Sequence, residues 1–223
     1  MNILNKIERK FGRYYISNLM LYIVIGTGII FAFQYLFPTL PLWAFLSFNR
    51  NAILHGQIWR IVSFVFIPES SNPISMVFWL YLYWFIGSNL ESYWGGWRFN
   101  VYYFTGALLA AIGGFITGYA TNYYLNLSLF LAMAILCPNH QLLLFFFIPV
   151  KMKWLALLYA AMVVHDMWLV SWGGRLAIIL SLLNVALFFG GDFFRKIRDK
   201  FKYHKVRSNF KKNMKMTEHR DDR

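Results

Sequence analysis

Apolar residues in this chain gather into long runs. Runs near twenty residues occupy 18–37, 74–94, 98–120, 152–170 and 171–191, and a shorter one at 122–137 lies between Thr121-Asn122 and Pro138-Asn139. Crossing the hydrocarbon of a bilayer takes roughly twenty apolar residues in a helix, and lipid offers no partner for an open sheet edge. The pattern therefore predicts six transmembrane helices rather than strands. At about 1.5 Å per residue, the fourth run reaches only about 24 Å.

The connection 38–73 follows neither rule. Leu42-Trp43-Ala44-Phe45-Leu46, Ile58-Trp59 and Ile61–Ile67 are too apolar to float in water. Pro38, Pro41, Asn49 and Gly56 interrupt it too often for a span. Such a segment is expected to lie in the membrane interface as a re-entrant or interfacial hairpin.

Composition supports the same class. Hydrophobic residues make up 59% of the chain and charged residues 14%, against about a quarter charged in a soluble domain. The expected fold is an all-α polytopic membrane protein. Residues 1–17 form a basic N-terminal segment, 18–191 the six-helix domain, and 192–223 a basic tail.

Charge sets the expected orientation. Of 22 Lys and Arg, four precede the first run (Lys6, Arg9, Lys10, Arg13) and twelve follow Asp192. Six spans put Arg98, Lys151 and Lys153 on that same side, leaving Arg50, Arg60 and Arg175 opposite. The positive-inside rule then makes both ends cytoplasmic. The first run is too long for a signal peptide and lacks small residues at a cleavage site. The expected location is a cell membrane, bacterial by default because no ER retention signal is present. The tail around 195–215 places Phe194, Ile197 and Phe201 at roughly helical spacing among Lys and Arg. It reads as a topology anchor or as an interfacial helix on anionic headgroups. Nothing in it resembles a nucleic-acid-binding fold.

Small residues recur every four positions in two runs: Gly106, Ala110, Gly114 and Gly118 in the third, and Gly173, Ala177 and Ser181 in the sixth. Such faces let neighbouring backbones approach closely. Pro149-Val150-Lys151-Met152-Lys153-Trp154 ends the apolar stretch 142–148 and opens the fifth run. The lone Cys137 excludes an intrachain disulfide. There is no metal-ligand spacing, phosphate loop, dinucleotide signature or heme motif, so no cofactor is expected.

The remaining polar punctuation is ordered. Gly56-Gln57-Ile58-Trp59-Arg60 stands in the long connection and is followed by Phe66-Ile67-Pro68. Leu90-Glu91 ends the second run, with Gly95 four residues on and Arg98 beyond it. Taken together with six spans and a buried-looking connection, this set resembles the rhomboid superfamily over roughly residues 18–191. It is similar to the GQ-x-WR and LE-x-x-x-G of that family and to the WR of derlins. Trp59 is expected to anchor at the interface, and Arg60 to reach headgroups or the carbonyls that end the connection's helices. Glu91 is expected to bond loop donors, with Arg98 as a candidate partner.

The resemblance implies a test for activity. Rhomboid proteases cut transmembrane substrates with a serine near the outer end of the fourth span, in Gly-x-Ser-Gly, and a histidine in the sixth. A serine hydroxyl is a weak nucleophile until a base takes its proton, and donors must stabilise the oxyanion. Here the serine stretch reads Asn126-Leu127-Ser128-Leu129, and 171–191 contains no histidine. The family's oxyanion histidine and asparagine fall near Ser75 and Trp79. The resemblance therefore implies a non-proteolytic, derlin-like member that binds transmembrane clients and affects their handling or degradation. A short fourth helix would thin the bilayer locally. Two alternatives remain: an atypical serine protease using Ser128 with His165 as base, and a small transporter or channel. Arg175 and Asn184, polar residues of the last run, are the candidate client-binding or path-lining groups.

Overall fold

The structure is a computed structural model that describes residues 2–144 and 148–190. In chain order its helices are α1 (Asn2–Phe11), α2 (Leu19–Leu36), α3 (Leu42–Leu46), α4 (Arg50–Leu54), α5 (Arg60–Ser63), α6 (Pro73–Trp94), α7 (Gly96–Thr117) and α8 (Tyr123–Leu136). A 3-10 turn, Phe64–Phe66, continues α5. Strands β1 (Gln141–Leu144) and β2 (Ile148–Lys151) follow, then α9 (Met152–Leu169) and α10 (Trp172–Gly190). One compact unit, Met1–Val185, contains everything described below. A second begins at Ala186, and the structure describes only its first five residues, the end of α10. The basic tail lies outside the described residues.

Local chemistry sets the helix ends. Asn72 caps α6, its Oδ1 accepting from the backbone N–H groups of Ile74 and Ser75, and Pro73 occupies the first turn, where no N–H is needed. Only Gly95 separates α6 from α7, at φ +82° and ψ 150°, a region essentially restricted to glycine. Gly118 ends α7 at φ +97°.

Helices α2, α7 and α10 are each long and apolar enough to cross a membrane, and α8 is a shorter apolar helix. This is a helical membrane protein. Its 14-residue α8 spans about 21 Å at 1.5 Å per residue. The distribution of side chains is that of a protein solvated by lipid. Phe104, Leu108, Ile112 and Ile116 form an exposed stripe at four-residue spacing along α7, while Asn100, Asn122, Asn126, Ser128, Ser181 and Asn184 are buried. Between helices in lipid, polar groups act as interhelical hydrogen-bonding partners.

The sequence pattern missed one element. The apolar stretch after α8 forms an antiparallel hairpin, with Gln141 opposite Lys151 and Leu144 opposite Ile148. Pro149, expected only to break that stretch, sits within β2 opposite Leu143. A ladder this short satisfies its backbone groups locally, and in a two-stranded sheet every strand is an edge, where proline is tolerated.

Candidate functional site

The connection between α2 and α6 folds into short helices rather than a loop. The reason lies in Gly56–Arg60. Gly56 takes φ +98° after α4. The Arg60 guanidinium is buried; Nη1 donates to the carbonyls of Ala44 (2.6 Å) and Ser47 (2.7 Å), and Nε to Gln57 Oε1 (2.7 Å). The Ser63 hydroxyl donates to Leu46 O at 2.8 Å. Together they satisfy carbonyls at the end of α3 that no longer have an intrahelical donor. The Trp59 ring packs tilted against Phe45, centroids 5.2 Å apart, and donates Nε1–H to its carbonyl at 3.4 Å. Gln57, Trp59 and Arg60 thus hold the connection to itself.

Two further links fasten this connection to the ends of α7 and α8. The Arg50 N–H bonds Gly118 O (3.0 Å), its guanidinium bonds Phe115 O (3.2 Å), and Phe48 packs edge-on between Phe64 and Phe115. Asn122 Nδ2 donates to Val65 O (3.1 Å) and Ile67 O (2.8 Å).

At the α6–α7 joint, Leu90 is fully buried and Glu91 Oε1 accepts from the Asn18 backbone N–H at 2.8 Å. Asn18 stands at φ 55°, just before α2. The loop-donor reading of Glu91 therefore stands. Glu91 does not take Arg98, however: Arg98 donates to Glu8 Oε2 of α1 through Nε (2.9 Å) and Nη2 (2.6 Å).

Between α6, α7, α8 and α10 lies a cavity of about 500 Å³. Its walls include Trp79, Gly106, Ala110, Gly113 and Gly114, the stretch Tyr119–Leu125, Ser128, and Gly173, Gly174, Ala177, Ser181 and Asn184; Ile67, Pro68 and Glu69 close one edge. Gly106, Ala110 and Gly114 of the first small-residue face and all three residues of the second line this space. They also allow close approach: a Cβ on Gly106 would lie 2.5 Å from Leu125 Cδ1 and 2.8 Å from Asn184 Nδ2, and one on Gly114 2.6 Å from Phe48.

Ser128 is fully buried. Its hydroxyl donates to Leu125 O at 2.8 Å, one turn back along α8, and its Oγ accepts from Asn184 Nδ2 at 3.5 Å. Asn184, also fully buried, donates to Tyr102 O (3.3 Å) and accepts from Thr105 Oγ1 (3.2 Å), while Tyr102 OH donates to Ser128 O (2.8 Å). The group of α10 that meets the serine is thus an amide. It orders the hydroxyl but cannot take its proton, since an amide nitrogen is a donor only.

Sequence reasoning passed over Glu69. It precedes α6, and its Oε1 accepts from Asn126 Nδ2 at 2.8 Å while Oε2 is buried without a partner. Burial raises the Glu69 pKa above the ordinary glutamate value; the nearby Tyr83 hydroxyl and the Asn126 hydrogen bond oppose that shift. The available signal was a lone carboxylate in an apolar connection, directly before a capped helix.

Two other candidate residues stand elsewhere. The His165 side chain is 70% exposed, beside Asp166 at 3.7 Å, and lines an open groove on α9 with Trp154, Leu158 and Met162. It is not among the residues that surround Ser128, so His165 does not serve it as a base. Arg175 lies in the α9–α10 corner, where Nε donates to Val170 O (3.2 Å), Nη2 to Trp168 O (3.5 Å), and the guanidinium covers Trp172. It caps the end of α9, where a cation is favoured, and does not line the cavity. Among the described residues, no three His, Cys, Asp or Glu come together as a metal would require.

Compared with known proteins, the chain matches no family model and no curated protein.

Proposed function

We propose that this protein is a rhomboid-like, non-proteolytic membrane protein that receives part of a client's transmembrane segment in the cavity between α6, α7, α8 and α10. In this reading it affects the client's handling or degradation. The observation that carries the reading is the pairing of Ser128 with Asn184: a serine stands in the cavity, its proton is committed to its own helix, and the group that meets it is an amide. A mostly apolar cavity with small-residue walls and scattered polar side chains suits a helix backbone that carries an occasional polar side chain.

Six helices, α2 and α6–α10, span the membrane in this reading, with both ends cytoplasmic and the Gly56–Arg60 connection in the outer leaflet of a bacterial cell membrane. The short α8 thins the bilayer beside the cavity and lowers the cost of bringing a client's polar segment to depth. Its partners are transmembrane clients and the surrounding lipid.

A photo-crosslinker introduced at Ala177, on the cavity wall, tests this in native membranes. The expected result is capture of other membrane proteins, lost when Ala110→Leu narrows the cavity, with no labelling of Ser128 by a fluorophosphonate. Serine labelling that Ser128→Ala removes would establish a hydrolase instead. Solute flux in proteoliposomes with no client capture would establish a transporter.

A further inference from the structure

A second surface stands apart from the cavity. Helix α1 is strongly amphipathic, and its geometry brings Ile7 and Phe11, one turn apart, to one face. Ile7 and Phe11 are 44% and 48% exposed, and the following Tyr14 is 82% exposed. Among the described residues, none closes over the uncovered half of Ile7 and Phe11. Arg9, Lys10 and Arg13 are exposed as well. The one acidic residue of α1, Glu8, is turned to Arg98 at the first turn of α7, so its charge is neutralised within the protein. That ion pair, together with the Asn100 side chain bonded to both the N–H and the carbonyl of Ile16, holds α1 and its linker at the bundle end where α2 and α7 begin.

We propose that α1 is an in-plane anchor that seats on the anionic phospholipid surface of the leaflet at this end of the bundle. Ile7 and Phe11 enter the acyl boundary, and Arg9, Lys10 and Arg13 meet phosphate and carboxylate headgroups. The occupant is fixed by charge. An apolar face alone would accept a neutral bilayer or another protein, but a cationic rim with its only carboxylate withdrawn matches an anionic sheet of headgroups. Each cation near such a surface strengthens binding about fivefold. The ion pair to Arg98 would keep the helix beside the bundle between binding events.

The full chain with Cys137→Ser and Phe11→Cys, labelled with an environment-sensitive dye, tests this in two bilayers: phosphatidylcholine alone, and phosphatidylcholine mixed with phosphatidylglycerol. The expected result is blue-shifted emission with loss of access to an aqueous quencher in the mixed bilayer. High salt should reverse it, and Arg9→Gln with Lys10→Gln and Arg13→Gln should weaken it about a hundredfold. A label at Arg9→Cys should stay open to quencher in both bilayers. The salt comparison needs no charge variant, so a folding defect in the triple substitution does not blur the answer. Equal protection in both bilayers, or quenching in both, would overturn the proposal. So would protection by an added soluble protein rather than by the anionic lipid.

Discussion

Arg60 and Asn184 are both buried polar side chains in a chain dominated by apolar residues, yet they serve different ends. Every partner of Arg60 lies within the connection that carries it: Ala44 O, Ser47 O and Gln57. Asn184 reaches out of α10 to α7 and α8, and it sits on the wall of a cavity. The first arrangement closes a local structure and leaves nothing to offer a ligand. The second spreads weaker bonds over three helices around open volume. Polar groups that close a loop are costly to remove, whereas polar groups around a cavity can change without collapse.

The largest effect is expected at Arg60. Arg60→Ala strands the Ser47 carbonyl, leaves the Ala44 carbonyl with only the Ser47 hydroxyl, and should cost about 3 kcal/mol, measured by thermal unfolding in detergent. A cost as small as that at Asn184 would break the contrast. Gly106→Leu should cost about 2 kcal/mol by driving Leu125 and Asn184 apart, whereas Ala110→Leu on the cavity wall should abolish client crosslinking. Glu91→Ala loses the bond to the Asn18 N–H and should lower folded yield by about 1 kcal/mol of stability while leaving crosslinking intact.

Glu69 sharpens the comparison through pH. Its pKa is raised in the folded protein, so the folded state holds its proton more tightly than the unfolded chain. Stability should therefore fall as pH rises from the ordinary glutamate value through the raised one. Glu69→Gln keeps the acceptor for Asn126 and should flatten that fall; an unchanged unfolding midpoint profile would count against it. The smallest effect is expected at Asn184→Ala, about 0.6 kcal/mol in line with interhelical bonds in lipid, with crosslinking altered more than stability.

Much of the helical framework was legible in the sequence, because lipid-facing helices need unbroken apolar runs and end at glycine, proline and asparagine. The run at 18–37 is α2 and the one at 74–94 is α6, each within a residue at either end. For Arg60 the sequence left two destinations open, headgroups or helix-end carbonyls, and its guanidinium is found on the carbonyls. Three features were not legible. Arg98 meets Glu8 across 90 positions and Glu69 meets Asn126 across 57, and neither pairing leaves a local pattern. The hairpin β1–β2 arises from an apolar stretch with no alternation to mark it as strand. The cavity was hidden because glycines at four-residue spacing read the same whether they face a neighbouring helix or an open space.

The start of α2 is fastened by chemistry that is synthesised much later. The Asn18 N–H waits for Glu91, 73 residues on, and Ile16 for Asn100, 84 residues on. A growing chain can wind α2 as soon as it leaves the ribosome, but it cannot lock the turn beneath it until the α6–α7 pair has followed. The first long helix is thus held provisionally while the next 73 to 84 residues are made, and its final seating is among the slow, long-range steps of assembly.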